Sequence, residues 1–438
     1  MKTILIISPP FYSHFSPLLN IAKALKDRRQ VRVVVATAPA FENQVLSAGC
    51  DFTPLEVTSN ANTGIAEKTR QLNTESKRLE QFFEATKKGA IPTLLVQAKH
   101  RRLDMLPDPL PIYRQLQRLY QQWQPSLFLV DQLNYAVTLS LYALDYPFIT
   151  FCPGHPTYIP EGDQTFGVPY AFPCEIQPCK EDLCELKALA SEIEREFTFV
   201  FNQFLEQYAP HRPTVENAFH LTSSRAVLFN YPDFGHLHLR RENPLKWFGG
   251  HCFSPNPPLD PEWQEIIRKN RSRFPKVLLS FGTFLSARSD VIQKILQNLR
   301  EIFPNGLFFA AVGARIHEYA DFHNSHFILR EFLPQTGILP DVDLVIHHGG
   351  NNTFTETIYH AKPMLIFPFS SDQFAIAHDA ELFGIGQVLN PNDFLLEEIE
   401  GKINSLLSGD YAFPLQNWSL FSQQRGASFL ANSILSLT

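Results

Sequence analysis

The densest chemistry in the chain lies in Ile346-His347-His348-Gly349-Gly350-Asn351-Asn352-Thr353-Phe354-Thr355-Glu356. A short apolar strand ends at His348, two glycines permit a tight turn, and Asn352-Thr353 opens a helix. The free N–H groups and positive dipole end of such a helix suit an anion of the pyrophosphate kind. Thr353 adds a hydroxyl donor and His348 an imidazole donor, while Glu356, one turn along, suits a ribose diol. Sixteen residues further, Asp372-Gln373 sets a carboxylate beside an amide, a pair able to grip adjacent sugar hydroxyls. Upstream, Phe332 offers a ring to stack on a base and Gln335 an amide near the ribose. Taken alone, the first stretch is also explained as a glycine-rich turn with a capping Asn; its companions favour a ligand.

Two more residues fit acid–base work. His14 follows the first strand in Tyr12-Ser13-His14-Phe15-Ser16-Pro17, read as a loop. A histidine at the mouth of a sheet can act as general base near neutral pH. Asp131 ends the strand Leu127-Phe128-Leu129-Val130. A loop histidine and a helix-capping aspartate are the plainer alternative. Asp341-Val342-Asp343 spells a metal-binding D-x-D, yet it precedes a strand instead of following one, so capping or surface exposure explains it better. Cys174, Cys179 and Cys184 are five residues apart, unlike a zinc pattern. With Cys50, Cys152 and Cys252 they are expected as reduced thiols.

The elements that must position these groups read as two parallel sheets. Ile4 to Ile7 form a strand apolar on both faces. Ser16-Pro17 reads as an N-cap with proline at the first helical position, and Leu18, Ile21, Ala22 and Leu25 follow at helical spacing. Lys26, Arg28 and Arg29 suit that helix's negative end, and Val31 to Ala36 is the next strand, completing a βαβ unit. The grammar restarts at Lys276–Ser280. A helix is expected over Ser289–Ile302, then strands at Gly306–Val312, Leu344–Ile346 and Met364–Phe367. Residues 60–125 and 180–222 carry helical patterns, and the basic stretch Gln97–Leu103 reads as a solvated face, with anionic-ligand or membrane contact the sharper alternative. Two doubly wound domains are therefore expected at 1–250 and 262–410, joined by a linker at 251–261 whose four prolines in 254–261 make it a stiff polyproline-like spacer. A last helix, Gln416 to Ser436 within 411–438, has no strand after it and is free to pack back on the first domain.

Composition bounds the function. The chain has 438 residues, a formal charge of −6 and 44% apolar residues, as in a globular protein without a general nucleic-acid footprint. The opening apolar run is too short for a secretory signal, and no uncharged stretch suits a spanning helix, so a cytosolic protein is expected.

The motifs, in their order, resemble family 1 nucleotide-sugar glycosyltransferases. That family carries a W-x-P-Q, an H-x-G-x-N-[ST]-x-x-E and a D-Q in its C-terminal half. His348, Gly350, Asn352, Thr353, Glu356, Asp372 and Gln373 match, and Phe332 stands for the tryptophan before Pro334-Gln335. Ser280, Gly282 and Thr283 resemble its S-x-G-[ST] loop, which meets a phosphate. Ser13-His14 with Pro17 resembles its G-H-x-x-P, and Asp131 matches the aspartate that orients the histidine and stabilises the imidazolium. Pro10–His14 and Val130-Asp131-Gln132 look most like the bacterial carotenoid (zeaxanthin) glucosyltransferases.

The resemblance implies the GT-B arrangement: two facing Rossmann-like domains, donor in the C-terminal half and acceptor in the N-terminal half. It implies inverting transfer of a hexose, glucose by the Gln373 position, from a UDP-sugar (dTDP being the other nucleotide) to a hydroxyl. The acceptor expected is a lipophilic or aromatic small molecule, with peripheral membrane contact through it as an accessory. No metal or other cofactor is expected, because fixed dipoles stabilise the leaving group. A non-catalytic nucleotide-sugar binder and a GT-B epimerase are the rival readings. A nicotinamide oxidoreductase is disfavoured, since no G-x-G-x-x-G follows the first strand.

Overall fold

The computed structural model describes residues 2–28, 31–57, 62, 73–104, 108–237, 244–322 and 324–437, save the side chains of 73–75, 103, 104 and 283. Arg29, most of the helical pattern over 60–72, the first residues of the proline-rich stretch at 106–111, and the Thr283 side chain lie outside the described residues.

Thirteen strands form two wholly parallel sheets among the described residues. The first comprises β1 (Lys2–Ile7), β2 (Val31–Thr37), β3 (Asp51–Pro54), β4 (Leu127–Asp131), β5 (Phe148–Cys152), β6 (Ala226–Phe229) and β7 (Leu245–Phe248), in the order 3-2-1-4-5-6-7. The second comprises β8 (Lys276–Ser280), β9 (Leu307–Ala311), β10 (Phe327–Arg330), β11 (Leu344–His347), β12 (Met364–Ile366) and β13 (Gly386–Val388), in the order 10-9-8-11-12-13. Both orders reverse direction once, between β1 and β4 and between β8 and β11. Ligands of doubly wound sheets bind in the crevice beyond the strand ends at that reversal.

The apolar run of β1 has its reason in the layers. Ile4 and Ile6 pack with Leu18, Ile21 and Leu25 on one face, while Leu5 and Ile7 pack with Leu116 and Val137 on the other. A strand covered on both sides needs apolar residues at every position. β8 repeats this: Val277 and Leu279 join the cluster around Ile292 and Leu296, and Leu278 joins that around Trp263 and Ile338.

Three expectations need correction. The first helix spans Tyr12–Lys26, so His14 lies in its first turn and not on a loop, and Pro17 sits inside it. Ser16 does not cap it; the N–H groups of His14 and Phe15 already donate to the Phe11 carbonyl. The missing N–H of Pro17 leaves the Ser13 carbonyl without its helical donor, and the Asn352 side chain supplies one instead at 2.9 Å. The last helix is two, Ala412–Gln423 and Gly426–Ser436, because the Gly426 N–H donates to the Gly249 carbonyl at 2.7 Å instead of continuing the turn. The second of these helices packs Leu430, Ala431 and Ile434 against Leu18 and Ile21 of the first domain. The proline-rich segment is not a free polyproline spacer: Asn256 takes a φ of 50°, and Leu259 packs against the cluster containing Trp263 and Leu333.

All six cysteines are free thiols, Cys174, Cys179 and Cys184 being exposed. Among the described residues no helix is long and apolar enough to cross a membrane, and no trio of His, Cys, Asp or Glu is placed to hold a metal. Asp343 accepts the Lys276 N–H at 2.8 Å, tying the starts of β8 and β11 together at the end remote from the crevice.

Candidate active site

A cavity of about 910 Å³ lies between the two sheets, lined from both. His14, Ser280, Gly282, Phe332, Gln335, His348, Gly350, Asn352, Thr353, Glu356, Asp372 and Gln373 all face it. Asp131 is fully buried behind His14. The Thr283 backbone belongs to the short helical turn Gly282–Leu285.

His14 Nδ1 lies 2.9 Å from Asp131 Oδ2, and Asp131 Oδ1 accepts the Leu133 N–H at 2.9 Å. The carboxylate thus fixes the tautomer with the proton on Nδ1 and leaves Nε2 as a base. Strand pairing explains the meeting, because Ile7 of β1 is in register with Val130 of β4.

On the opposite wall, Gln335 Nε2 donates to Glu356 Oε2 at 2.6 Å and to Thr353 Oγ1 at 3.1 Å, so three expected residues form one cluster. Burial pushes the Glu356 carboxyl up to about 7, against the opposing Gln335 hydrogen bond. Phe332 is 59% exposed at the rim, a large ring left open for stacking. His348 sits between Gly282 and Gly350, where a Cβ would come within 2.8 and 2.5 Å of its ring. Its burial pushes the imidazole down to about 4, against a smaller pull from the Ser280 backbone. His348 is therefore neutral at pH 7 and has one N–H to give.

Several of these side chains also make contacts that the sequence did not foretell. Asn352 bridges the halves, donating to the Ser13 carbonyl and accepting from Asn230 Nδ2 at 3.1 Å. Asp372 Oδ2 accepts the His155 N–H at 3.0 Å and its Oδ1 accepts the Tyr158 hydroxyl at 3.1 Å. Gln373 Oε1 accepts the N–H groups of Phe369 and Ser370, at 2.9 and 3.1 Å. Among the described residues its amide nitrogen has no hydrogen-bond partner.

Sequence reasoning missed a set of residues that join the domains. Asn351 donates to the Pro153 and Asn230 carbonyls. Asp379, fully buried, accepts from His155 Nε2 at 3.1 Å, Tyr231 at 2.8 Å and Tyr170, and pairs with His236 Nε2 at 3.0 Å. Burial works against its charge, but the bonds from His155 and His236 outweigh that and hold the carboxyl below its usual range. Asp379 lies on the helix Gln373–Leu382, one turn and a half beyond Gln373; only that i, i+6 carboxylate hinted at a role.

Residues 197–413 match the family model described as "UDP-glucoronosyl and UDP-glucosyl transferase". The chain is 23% identical over 406 residues to NDP-glycosyltransferase YjiC of Bacillus subtilis (strain 168), covering 92% of this chain and 89% of that protein. It is 23% identical over 434 residues to UDP-glucosyltransferase A1 of Starmerella bombicola, covering 92% and 85%. Among solved structures, the glycotransferase of kitacinnamycin superposes with a TM-score of 0.69 at 17% identity, covering 99% of this chain and 98% of that one. The glycosyltransferase VinC in complex with dTDP gives a TM-score of 0.67 at 17% identity, covering 99% of each. These structures share the two-sheet fold described above.

Proposed function

Because this chain belongs to the UDP-glycosyltransferase family, we propose that it moves glucose from UDP-glucose to a hydroxyl of a lipophilic or aromatic small molecule, with inversion and without a metal ion. The observation that carries this is the placement of the His14–Asp131 pair on the same cavity as the Gln335–Thr353–Glu356 cluster.

His14 Nε2 takes the acceptor's proton as the oxygen attacks C1 of the sugar from the face opposite the diphosphate. The new C1–O bond forms as the bond to the diphosphate oxygen breaks, and the electron pair leaves with UDP. Asp131 stabilises the imidazolium. The N–H groups at Asn352-Thr353, His348 and the Ser280–Thr283 turn stabilise the departing charge. Glu356 and Gln335 hold the ribose, Phe332 stacks on the base, and Asp372 and Gln373 hold the sugar. Phe11, Val57, Leu79, Phe82 and Phe166 give the acceptor an apolar wall, suiting a carotenoid-like or comparable natural product. We place the reaction in the cytosol, at a membrane surface where such an acceptor resides.

The test is incubation with UDP-glucose and dTDP-glucose over an acceptor panel, with and without EDTA, read by mass for an added hexose. A hexose adduct that persists in EDTA is expected. Loss on chelation with recovery in Mg²⁺ overturns the metal-free mechanism, and nucleotide-sugar binding without any adduct favours a non-catalytic binder.

A further inference from the structure

The basic stretch Gln97–Leu103 lies on the helix Ala90–Asp104, and its two arginines go opposite ways. Arg102 turns outward and pairs with Glu192 at 2.9 Å and with Glu196. Arg101 turns inward and lines the cavity. Its guanidinium carbon lies 5.1 Å from the centre of the Phe166 ring, and among the described residues its one hydrogen-bond partner is the Ser371 hydroxyl at 3.5 Å. Gly167 leaves the room it needs, since a Cβ there would stand 2.0 Å from Nη1.

Among the described residues no carboxylate forms an ion pair with Arg101. Asp372 is a carboxylate whose charge acts on it without forming an ion pair, its oxygens accepting instead from the His155 N–H and the Tyr158 hydroxyl. Burial disfavours the guanidinium's charge. A desolvated cation with no anion is costly and persists where a partner arrives from outside. A planar five-donor guanidinium matches a carboxylate in two-point contact.

Building on the transferase reading above, we infer that Arg101 seats a carboxylate of the acceptor, so the acceptor class is an amphipathic hydroxy acid. Arg101 comes from the same half of the molecule as His14, and Leu79, Phe82 and Phe166 line the same cavity with apolar wall for the body of such an acceptor. The hydroxyl attacks the sugar; the carboxylate stays ionised on Arg101 and undergoes no bond change. Uncharged diols lack this anchor. The other source of a carboxylate is a uronic acid on the donor.

The experiment uses the full chain, UDP-glucose and a length series of flexible probes, 10-hydroxydecanoate and 16-hydroxyhexadecanoate, each beside its methyl ester. Transfer is followed by mass, and binding of each probe by calorimetry without donor. Wild type should prefer acid over ester by about 10- to 100-fold in kcat/KM and in Kd, the span of a charge-assisted bond. In Arg101→Gln that ratio should fall to near one, and Arg101→Lys should restore part of it; UDP binding by each variant checks the fold. Equal use of acid and ester by wild type overturns the inference. So does a variant that switches the choice between UDP-glucuronate and UDP-glucose while the acid-to-ester ratio stands, which puts the carboxylate on the donor. Glucose found on the carboxylate as an alkali-labile ester overturns it too. Arg101-dependent binding of the acids without transfer upholds the Arg101 site and defeats the transferase reading instead.

Discussion

Two histidine–aspartate pairs of nearly equal length, His14–Asp131 at 2.9 Å and His155–Asp379 at 3.1 Å, have opposite designs. In the first, the aspartate holds Nδ1 and the imidazole is 17% exposed toward the cavity, so the Nε2 lone pair meets whatever enters. In the second, the aspartate holds Nε2, the Thr157 N–H donates to Nδ1 at 3.2 Å, and neither side chain is exposed. His155 has no lone pair left and cannot take a proton from a substrate. The pairs also differ in reach: Asp131 and His14 lie in one domain, whereas Asp379 draws its partners from across the cleft. Chemistry and closure are thus divided between like residues by which nitrogen the carboxylate occupies.

The largest expected effect breaks the first pair. His14→Ala should lose about 10²–10⁴-fold in transfer, the range for a positioned general base. UDP-glucose affinity and the unfolding midpoint should stay near wild type. Turnover of a non-acidic alcohol at the wild-type rate would remove His14 from the mechanism; phenols are poor probes because they ionise unaided.

Breaking the second pair should show the reverse pattern. Asp379→Asn removes a buried charge on which His155, His236, Tyr170 and Tyr231 converge, at about 3–5 kcal/mol. The expected outcome is a lower unfolding midpoint and a raised KM, with kcat at saturation changed far less than in His14→Ala. Because Asp379 is held below its usual range, its stabilisation is present above the unfolded carboxyl's 3.8 and lost as pH falls beneath it. Asp379→Asn should therefore lose less stability than wild type on acidification. An unchanged midpoint at neutral pH, measured by thermal denaturation, would demote the cluster from latch to bystander.

The same division explains what was legible in the sequence. The βαβ periodicities yielded both sheets, and residues 346–356 and 372–373 sit on short runs after strand ends, so local spacing alone brings them to one crevice. His14 and Asp131 were legible as types, but the turn carrying His14 was not. Proline at a first helical position is the usual reading, and here Pro17 lies five residues inside, because a donor from the other domain, Asn352, takes up the Ser13 carbonyl. Asn230, Asn351 and His155 had no local pattern at all, and Asp379 had only its helical spacing from Gln373. Their roles exist only once the two domains face each other, and Arg101 differs from Arg102 only by the side of the helix it leaves from.

A third prediction concerns the titration of Glu356. Its carboxyl is raised from 4.5 to about 7 by burial, with Gln335 pulling the other way. The folded state then binds the proton more tightly than the unfolded chain, so stability falls as pH climbs from 4.5 to 7 and is level above, by about 3 kcal/mol in all. Glu356→Gln should flatten that slope while weakening UDP binding, since the ionised carboxylate is the better acceptor for a ribose diol. Wild-type UDP affinity should rise through the same window. Calorimetry at pH 5.5 and 8 checks both; an affinity flat with pH would place the ribose elsewhere.

The smallest effect separates the two sugar-holding residues. Asp372 is pinned to His155 and Tyr158, whereas Gln373 has its Oε1 held by the Phe369 and Ser370 N–H groups and its amide nitrogen free toward the cavity. A fixed donor of this kind reads hydroxyl orientation, because turning the sugar's 4-hydroxyl axial removes its acceptor. An unpaired buried donor costs about 1–3 kcal/mol, so UDP-galactose should be used about 5- to 150-fold less well than UDP-glucose. Gln373→Ala should narrow that preference by lowering glucose transfer, whereas Gln373→Asn, one methylene shorter, should keep the donor but misplace it and recover little. Competition of the two donors at equal concentration, followed by sugar analysis of the product, gives the ratio directly. Equal incorporation by wild type, or a preference that survives Gln373→Ala, would assign the choice of sugar to other residues on the cavity wall.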